Sequence, residues 1–159
     1  MSTADNKTQI LMVGAFPPSH SKTIYGGQVV ACTRLQASSF VVQHVVRTLD
    51  STQISNPPPP LAVRFPYAFK RLLIFVREIL FHRPDVVILF FADGASACEK
   101  GLMAWLAHIL RIRVMVFPRA GSLIQSYAAN RLFAFFLRQT IGRADTFLCQ
   151  GQLFQTFAT

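Results

Sequence analysis

Apolar and polar positions along the chain fall into two alternating kinds of segment. In the first kind almost every position is apolar: "QILMVGAF" (9–16), "FVVQHVV" (40–46), "DVVILFF" (85–91), "IRVMVF" (112–117) and the shorter "DTFLCQ" (145–150). Runs of this length predict strands, and strands apolar on both faces are those of a parallel sheet covered on both sides. The second kind carries apolar residues at helical spacing. Residues 27–38 place Val30, Cys32, Leu35 and Ala37 in such a pattern. Residues 67–82 form the clearest helix, with Phe69, Leu72, Leu73, Val76, Ile79 and Leu80 expected to face the core and Lys70, Arg71, Arg77 and Glu78 expected to face water. Ser96 and Glu99 have the spacing of a capping box, opening a helix whose expected core face is Leu102, Met103, Leu106, Ile109 and Leu110. A further helix over 129–141 would turn Leu132, Phe133, Phe136 and Leu137 inward.

Strand alternating with helix predicts an α/β fold: a parallel sheet with helices on both faces, in a single domain over residues 1–159. "SNPPPP" (55–60) reads as an exposed proline-rich loop and not as a domain boundary. Ligands of such sheets bind outside the carboxyl ends of the strands, here 14–27, 47–56, 91–96, 117–127 and 149–152.

Charge narrows the ligand. Lys and Arg number 16 against 7 Asp and Glu, a net charge of +9. Most of these cations are arginines, whose planar fork suits phosphate and carboxylate. No basic run exceeds two residues and the aromatics lie inside apolar segments, so no nucleic-acid partner is expected. The polar start "MSTADNKTQ" has no apolar signal core, and no segment approaches the ~18 apolar residues of a membrane span, so a cytoplasmic location is expected. Cys32, Cys98 and Cys149 lack metal or redox spacing and are expected to be free, buried thiols. His20, His44, His82 and His108 have no ligand spacing, so no metal and no resident cofactor are expected.

Three strand-end segments carry candidate chemistry. In "GAFPPSHSKTIYGGQVV" (14–30) the glycines of a P-loop are missing, as is the G-x-G-x-x-G of a dinucleotide fingerprint, although Asp50 stands near the distance of a ribose acid. What survives is Gly26-Gly27 at a helix start, which is either an anion site made of bare amides or a pair of residues serving chain flexibility. Asp93 follows the strand at 85–91, where a carboxylate serves as a base or a sugar ligand, or caps the next helix. In "PRAGS" (118–122), Arg119 and Gly121 suit a phosphate or carboxylate, or form a tight surface turn. No G-x-S-x-G elbow is present. The helix with Arg131, Arg138 and Arg143 beside Phe133, Phe135 and Phe136 reads as an amphipathic cover helix or as a peripheral membrane contact.

Taken in order, these segments resemble a family. A first strand, a Pro-Pro loop and Gly26-Gly27 running to Leu35 look like the amino-terminal half of glycosyltransferase family 4. "HRPDVVILFF" (82–91), "FPRAGSL" (117–123) and "RADTFLCQGQLFQTF" (143–157) are similar to its later strand segments. The resemblance implies a Rossmann-like domain that is one half of a GT-B fold: the acceptor side of a retaining enzyme. It would transfer sugar from a nucleotide-sugar, taken as substrate, to a glycan or lipid-linked acceptor at the inner membrane face. It implies that Gly26 and Gly27 face the donor diphosphate, that Arg119 and Gly121 line the cleft near the reacting sugar, and that Asp93 borders the acceptor. The E-x7-E acid pair of the donor-binding domain has no counterpart, Glu78 and Glu99 being the only glutamates. The chain is therefore expected to be an incomplete amino-terminal half, inactive without its carboxyl-terminal partner domain. The alternative is a stand-alone flavodoxin-like module that binds an anion or a partner without catalysis.

Overall fold

The structure, a computed structural model, describes residues 7–16, 26–53, 55 and 59–158. Five parallel strands, β1 (Gln9–Gly14), β2 (Val45–Asp50), β3 (Val86–Phe91), β4 (Arg113–Pro118) and β5 (Thr146–Phe147), form one sheet in the order β2-β1-β3-β4-β5. The helices are α1 (Gly27–Gln36), α2 (Ser39–Gln43), α3 (Leu61–Phe81), α4 (Ala95–Ile109), α5 (Ser122–Ala129), α6 (Arg131–Gln139) and α7 (Gln152–Ala158), with a 3₁₀ turn at Ile141–Arg143. The chain is thus α/β with a Rossmann-like sheet, as its alternating pattern predicts. β1 and β3 are the most deeply buried strands, and their alternate side chains feed two cores. Leu11, Val13, Val87, Leu89 and Phe91 pack with α3, α4 and α6, while Ile10, Met12, Ile88 and Phe90 pack with Cys32 and Leu35 of α1.

Two aspartates set the register at the amino edge of the sheet. Asp85 Oδ2 accepts from Gln9 N at 2.8 Å, and Asp145 Oδ2 accepts from Val114 N at 2.7 Å. Each carboxylate thereby satisfies an amide at the start of the neighbouring strand. At the opposite edge Asp50 ties β2 to the exit of β1, accepting from Phe16 N and from Thr52 N, both at 2.9 Å. The carboxylate at the ribose-acid spacing is therefore occupied by the backbone.

Several boundaries differ from the pattern-based expectation. Of the β-branched run 40–46 only Val45 and Val46 are strand: residues up to Gln43 form the short α2, and β2 begins at Val45. Pairing decided this, because the whole of β1 from Gln9 to Gly14 registers against Val45 to Asp50. As an edge strand β2 needs little apolar surface, and only Leu49 is buried. α3 starts six residues earlier than expected and contains Pro66, which near a helix start on an exposed face removes one hydrogen bond without ending the helix. The expected helix over 129–141 is divided by Asn130, whose side chain accepts from Phe133 N at 3.0 Å and restarts the helix as α6. Of the residues expected to turn inward, Leu137 is buried and Phe133 and Phe136 are half-buried, while Leu132, in the first turn of α6, is exposed. β5 pairs over Thr146–Phe147 only, shorter than the apolar run. Of the proline-rich loop, Ser55, Pro59 and Pro60 are described, and Pro60 is the residue preceding α3.

The inner faces of α3 and α4 also differ. In α3 the buried residues are Phe75 and Ile79, while Phe69, Leu73 and Leu80 are exposed. In α4 the face on the sheet is built from Ala97, Gly101, Met103, Ala104 and Ala107, while Ile109 and Leu110 are exposed. Small residues let α4 lie close to its neighbours. A Cβ on Gly101 would stand 2.7 Å from Thr140 Oγ1 and 2.8 Å from the Phe136 ring. Gly101→Ala is expected to destabilise the protein by about 1–3 kcal/mol by overpacking the α4–α6 contact. Gly142→Ala, where the nearest atom would be Leu137 O at 3.5 Å, is expected to change stability by no more than about 0.5 kcal/mol. Urea unfolding followed by circular dichroism measures both.

Candidate functional site

A cleft of about 970 Å³ lies along the carboxyl edge of the sheet. Its floor comes from the strand ends at Ala15, Ser51 and Ala92, one wall from the start of α1, and the other from α3 and the first turns of α4. β1 leads to β2 on one side and its other neighbour is β3, so the order reverses between β1 and β3. The helix starts on either side of that reversal diverge and leave a crevice.

Gly26 and Gly27 both line this cleft. Gly26 is extended (φ −174°, ψ 162°), a conformation open to any residue, so no positive φ explains the glycine. Nothing lies within 4 Å of a Cβ added at Gly26, and one added at Gly27 would meet only Arg119 Nη2 at 3.6 Å. α1 has no side-chain cap and no acid in its first turn. Among the described residues, the glycine pair thus leaves the positive end of α1 without a cap toward the cleft, where its amides attract an anion.

Arg119 also lines the cleft and reaches across to the same point. Its amide donates to Phe91 O at 2.8 Å, extending the β3–β4 ladder one step beyond the strands. Its Nη2 donates to Gly27 O at 2.9 Å, and its guanidinium stacks over the Phe117 ring at 5.1 Å. The Gln150 side-chain amide lies against the same guanidinium. A fixed cation therefore stands beside the bare amides, which are contributed from 92 residues away in sequence.

Asp93 and Gly121 stand next to cleft residues in the chain but are not among those that line the cleft. Asp93 Oδ1 accepts from Gly94 N and Oδ2 from Ser126 Oγ, each at 2.6 Å, so the carboxylate joins the β3–α4 connection to α5. Gly94 is the residue there that requires glycine, at φ +57°. Gly121 precedes α5 at φ −64°, with open space where a Cβ would stand. His20 and the Pro17-Pro18 pair lie outside the described residues.

The expected capping box is absent. Gly94 precedes α4, Ser96 lies inside the helix and accepts from Ala92 N at 3.2 Å, and Glu99 turns away from the helix start. Arg71 of α3 grips Glu99 with Nε at 2.7 Å and Nη2 at 3.0 Å, and Lys100 Nζ stands 3.2 Å from the same carboxylate. All three residues line the cleft, and Lys100 is 1% exposed. Burial pushes the Lys100 ammonium below the ordinary lysine range, against the opposing pull of Glu99. Burial alone would raise the Glu99 carboxyl, but the Arg71 fork and Lys100 outweigh it and hold it below the ordinary range. The signal for this triad is present in the sequence: Lys100 shares the i, i+3, i+4, i+7 stripe of Ala97, Gly101, Ala104 and Ala107, an unusual place for a lysine.

Among the cysteines, Cys32 is buried, and its thiol is pushed up to about 11, chiefly by burial. Cys98 and Cys149 are exposed, contrary to the expectation that all three are buried. Among the described residues no group of three metal-ligating side chains is present, and no helix is long and apolar enough to cross a membrane. The chain matches no protein-family model, no curated protein and no solved structure.

The triad carries a stability prediction. Glu99→Gln leaves Lys100 buried without its counter-charge and is expected to cost about 3–5 kcal/mol at neutral pH. Glu78→Gln, which loses the half-exposed Arg47 contact at 3.7 Å, is expected to cost no more than about 1 kcal/mol. Because folding lowers the Glu99 pKa, its contribution is present above the unfolded carboxyl's pKa and is lost as pH falls through the folded one. The gap between wild type and Glu99→Gln in urea midpoints should therefore narrow on acidification below the ordinary carboxyl range.

Proposed function

We propose that this chain is the acceptor-side domain of a retaining glycosyltransferase of the two-Rossmann-domain type. It acts with a donor-binding domain to move sugar from a nucleotide-sugar to a glycan or lipid-linked acceptor. The observation that carries the reading is the meeting of the bare α1 N-terminus at Gly26-Gly27 with the Arg119 guanidinium, within a cleft at the reversal point of the sheet. The resemblance of the ordered strand-end segments to family 4 supplies the reaction class.

In this reading the cleft holds the diphosphate edge of the donor. Transfer breaks the bond between the anomeric carbon and a diphosphate oxygen, and the same carbon bonds to an acceptor hydroxyl. The acceptor's proton leaves with the diphosphate, whose oxygen gains negative charge as the bond breaks. The α1 amides and the Arg119 fork are preorganised donors for that charge. Gly121 and Asp93 shape the neighbouring connections, since both oxygens of Asp93 already accept hydrogen bonds from Gly94 and Ser126.

The test is transfer of labelled sugar from a panel of nucleotide-sugars to glycan and lipid-linked acceptors, with a donor-binding domain joined in cis or supplied in trans. Absence of transfer from every donor, in a folded complex, counts against the reading. A second reading rests on the strand order β2-β1-β3-β4-β5, which is also that of flavodoxin-like binding modules. Such a module would bind its anion at full strength alone, so nucleoside diphosphate titrations with and without the donor domain separate the two.

Two substitutions test the anion site. Arg119→Ala is expected to weaken nucleoside diphosphate binding by about 1.5–3 kcal/mol, roughly tenfold to a hundredfold. Gly27→Asp places a carboxylate at the positive helix end beside Arg119. It is expected to stabilise the fold by about 0.3–1 kcal/mol while abolishing diphosphate binding. Calorimetric titration and urea unfolding on the same samples read both effects, and parallel loss of stability and binding would show the glycine pair to be structural.

A further inference from the structure

The outer face of the helical layer formed by α3, α4 and α6 is apolar where a water-facing surface should be polar. Along α3, Phe65, Phe69, Leu73 and Leu80 recur at helical spacing and are all at least half exposed, with Phe81 more so. α4 adds Trp105 and Ile109, and α6 adds Leu132 and Phe135, the first of them 82% exposed. These helices are neighbours: α4 packs against both α3 and α6. Apolar surface of this extent on adjacent helices marks an interaction face.

The charges on the same helices identify what meets it. α3, α4 and α6 carry seven Lys and Arg (Arg64, Lys70, Arg71, Arg77, Lys100, Arg131 and Arg138) against two carboxylates, Glu78 and Glu99. Both carboxylates already have partners in this chain: Glu78 lies 3.7 Å from Arg47 and 3.0 Å from His82 Nδ1, and Glu99 is held by Arg71 and Lys100. Lys70, Arg77 and Arg131 are exposed among the apolar side chains. A face with no spare negative charge repels a second copy of itself and attracts an anionic surface. Aromatic and aliphatic side chains interleaved with Lys and Arg suit the boundary between headgroups and acyl chains.

We infer that the outer face of α3, α4 and α6 docks on an anionic lipid bilayer, with Leu73 and Leu80 entering the headgroup boundary and Lys70, Arg77 and Arg131 meeting lipid phosphates. Phe65 and Phe69 belong both to this face and to the cleft lining, so docking brings the mouth of the cleft to the membrane surface. An amphiphile with an anionic head could then reach the α1 N-terminus without leaving the bilayer. The docking itself does not rest on the sugar-transfer reading.

Trp105, the single tryptophan of the chain, reports on the test directly. The full chain is mixed with phosphatidylcholine vesicles, with and without phosphatidylglycerol, and binding is followed by flotation and by Trp105 emission. Flotation with the anionic vesicles alone, a blue shift of Trp105 emission, and release by salt are expected. Leu73→Ser with Leu80→Ser, and separately Lys70→Glu with Arg77→Glu, should each weaken binding by roughly tenfold or more. All four side chains lie outside the cleft lining and away from the buried core, so circular dichroism should be unchanged and diphosphate binding retained. Failure of the folded chain to float with either vesicle would overturn the inference. So would equal binding to both vesicles, or self-association that the Leu73/Leu80 variant abolishes without any vesicle binding.

Discussion

Parallel pairing of β1 with β3 is the constraint on which the rest of the structure depends. Two adjacent strands running in the same direction cannot be joined by a tight turn, so each must be followed by a crossover that returns along a face of the sheet. The crossover helices therefore start at one common edge. At that edge the strand carbonyl ends, the helix amides and the connecting loops collect, and between β1 and β3 the two crossovers part to opposite faces. The cleft, the bare end of α1 and the position of Arg119 follow from this single topological fact.

The two edges of the sheet divide labour. At the amino edge Asp85 and Asp145 spend their carboxylates on backbone amides of neighbouring strands, and at the carboxyl edge Asp50 and Asp93 do the same for loops. Most of the few acids of a strongly basic chain are thus consumed in holding its framework. The cleft and the outer helices are among the places left with a surplus of cations. The Arg71–Glu99–Lys100 group is the exception that proves instructive: it carries a buried charge through the α3–α4 contact at the cleft wall, where a well-packed apolar group would hold the helices as firmly. It ties together the two helices that form the wall.

The α3–α4–α6 layer has two apolar surfaces, and only one of them is needed to cover the sheet. In α4 the inner surface is made of alanine, glycine and methionine with the ion-paired Lys100, while the larger Trp105 and Ile109 are left outside. Close packing inside and bulk outside is the reverse of the usual amphipathic helix and gives the layer its second, unspent face.

The alternation of fully apolar runs with helical patterns determined the α/β class, the parallel sheet and its edge of interest, because period and burial are local properties of the chain. Gly26, Gly27 and Arg119 were legible as strand-end residues for the same reason. Tertiary structure decided what local pattern could not. The run at 40–46 has strand composition, yet pairing with β1 placed the strand at Val45–Asp50. α3 is apolar nearly all round, so only packing could choose Phe75 and Ile79 for the core and leave Leu73 and Leu80 outside. Glu99 has the spacing of a cap, but Arg71, 28 residues away, offered its carboxylate a stronger partner than the helix start could. Arg119 and Gly27 are distant in sequence and meet only because β3 and β4 extend to the edge where α1 begins. Local chemistry thus named most of the residues, while the geometry of the sheet decided which of them share a site.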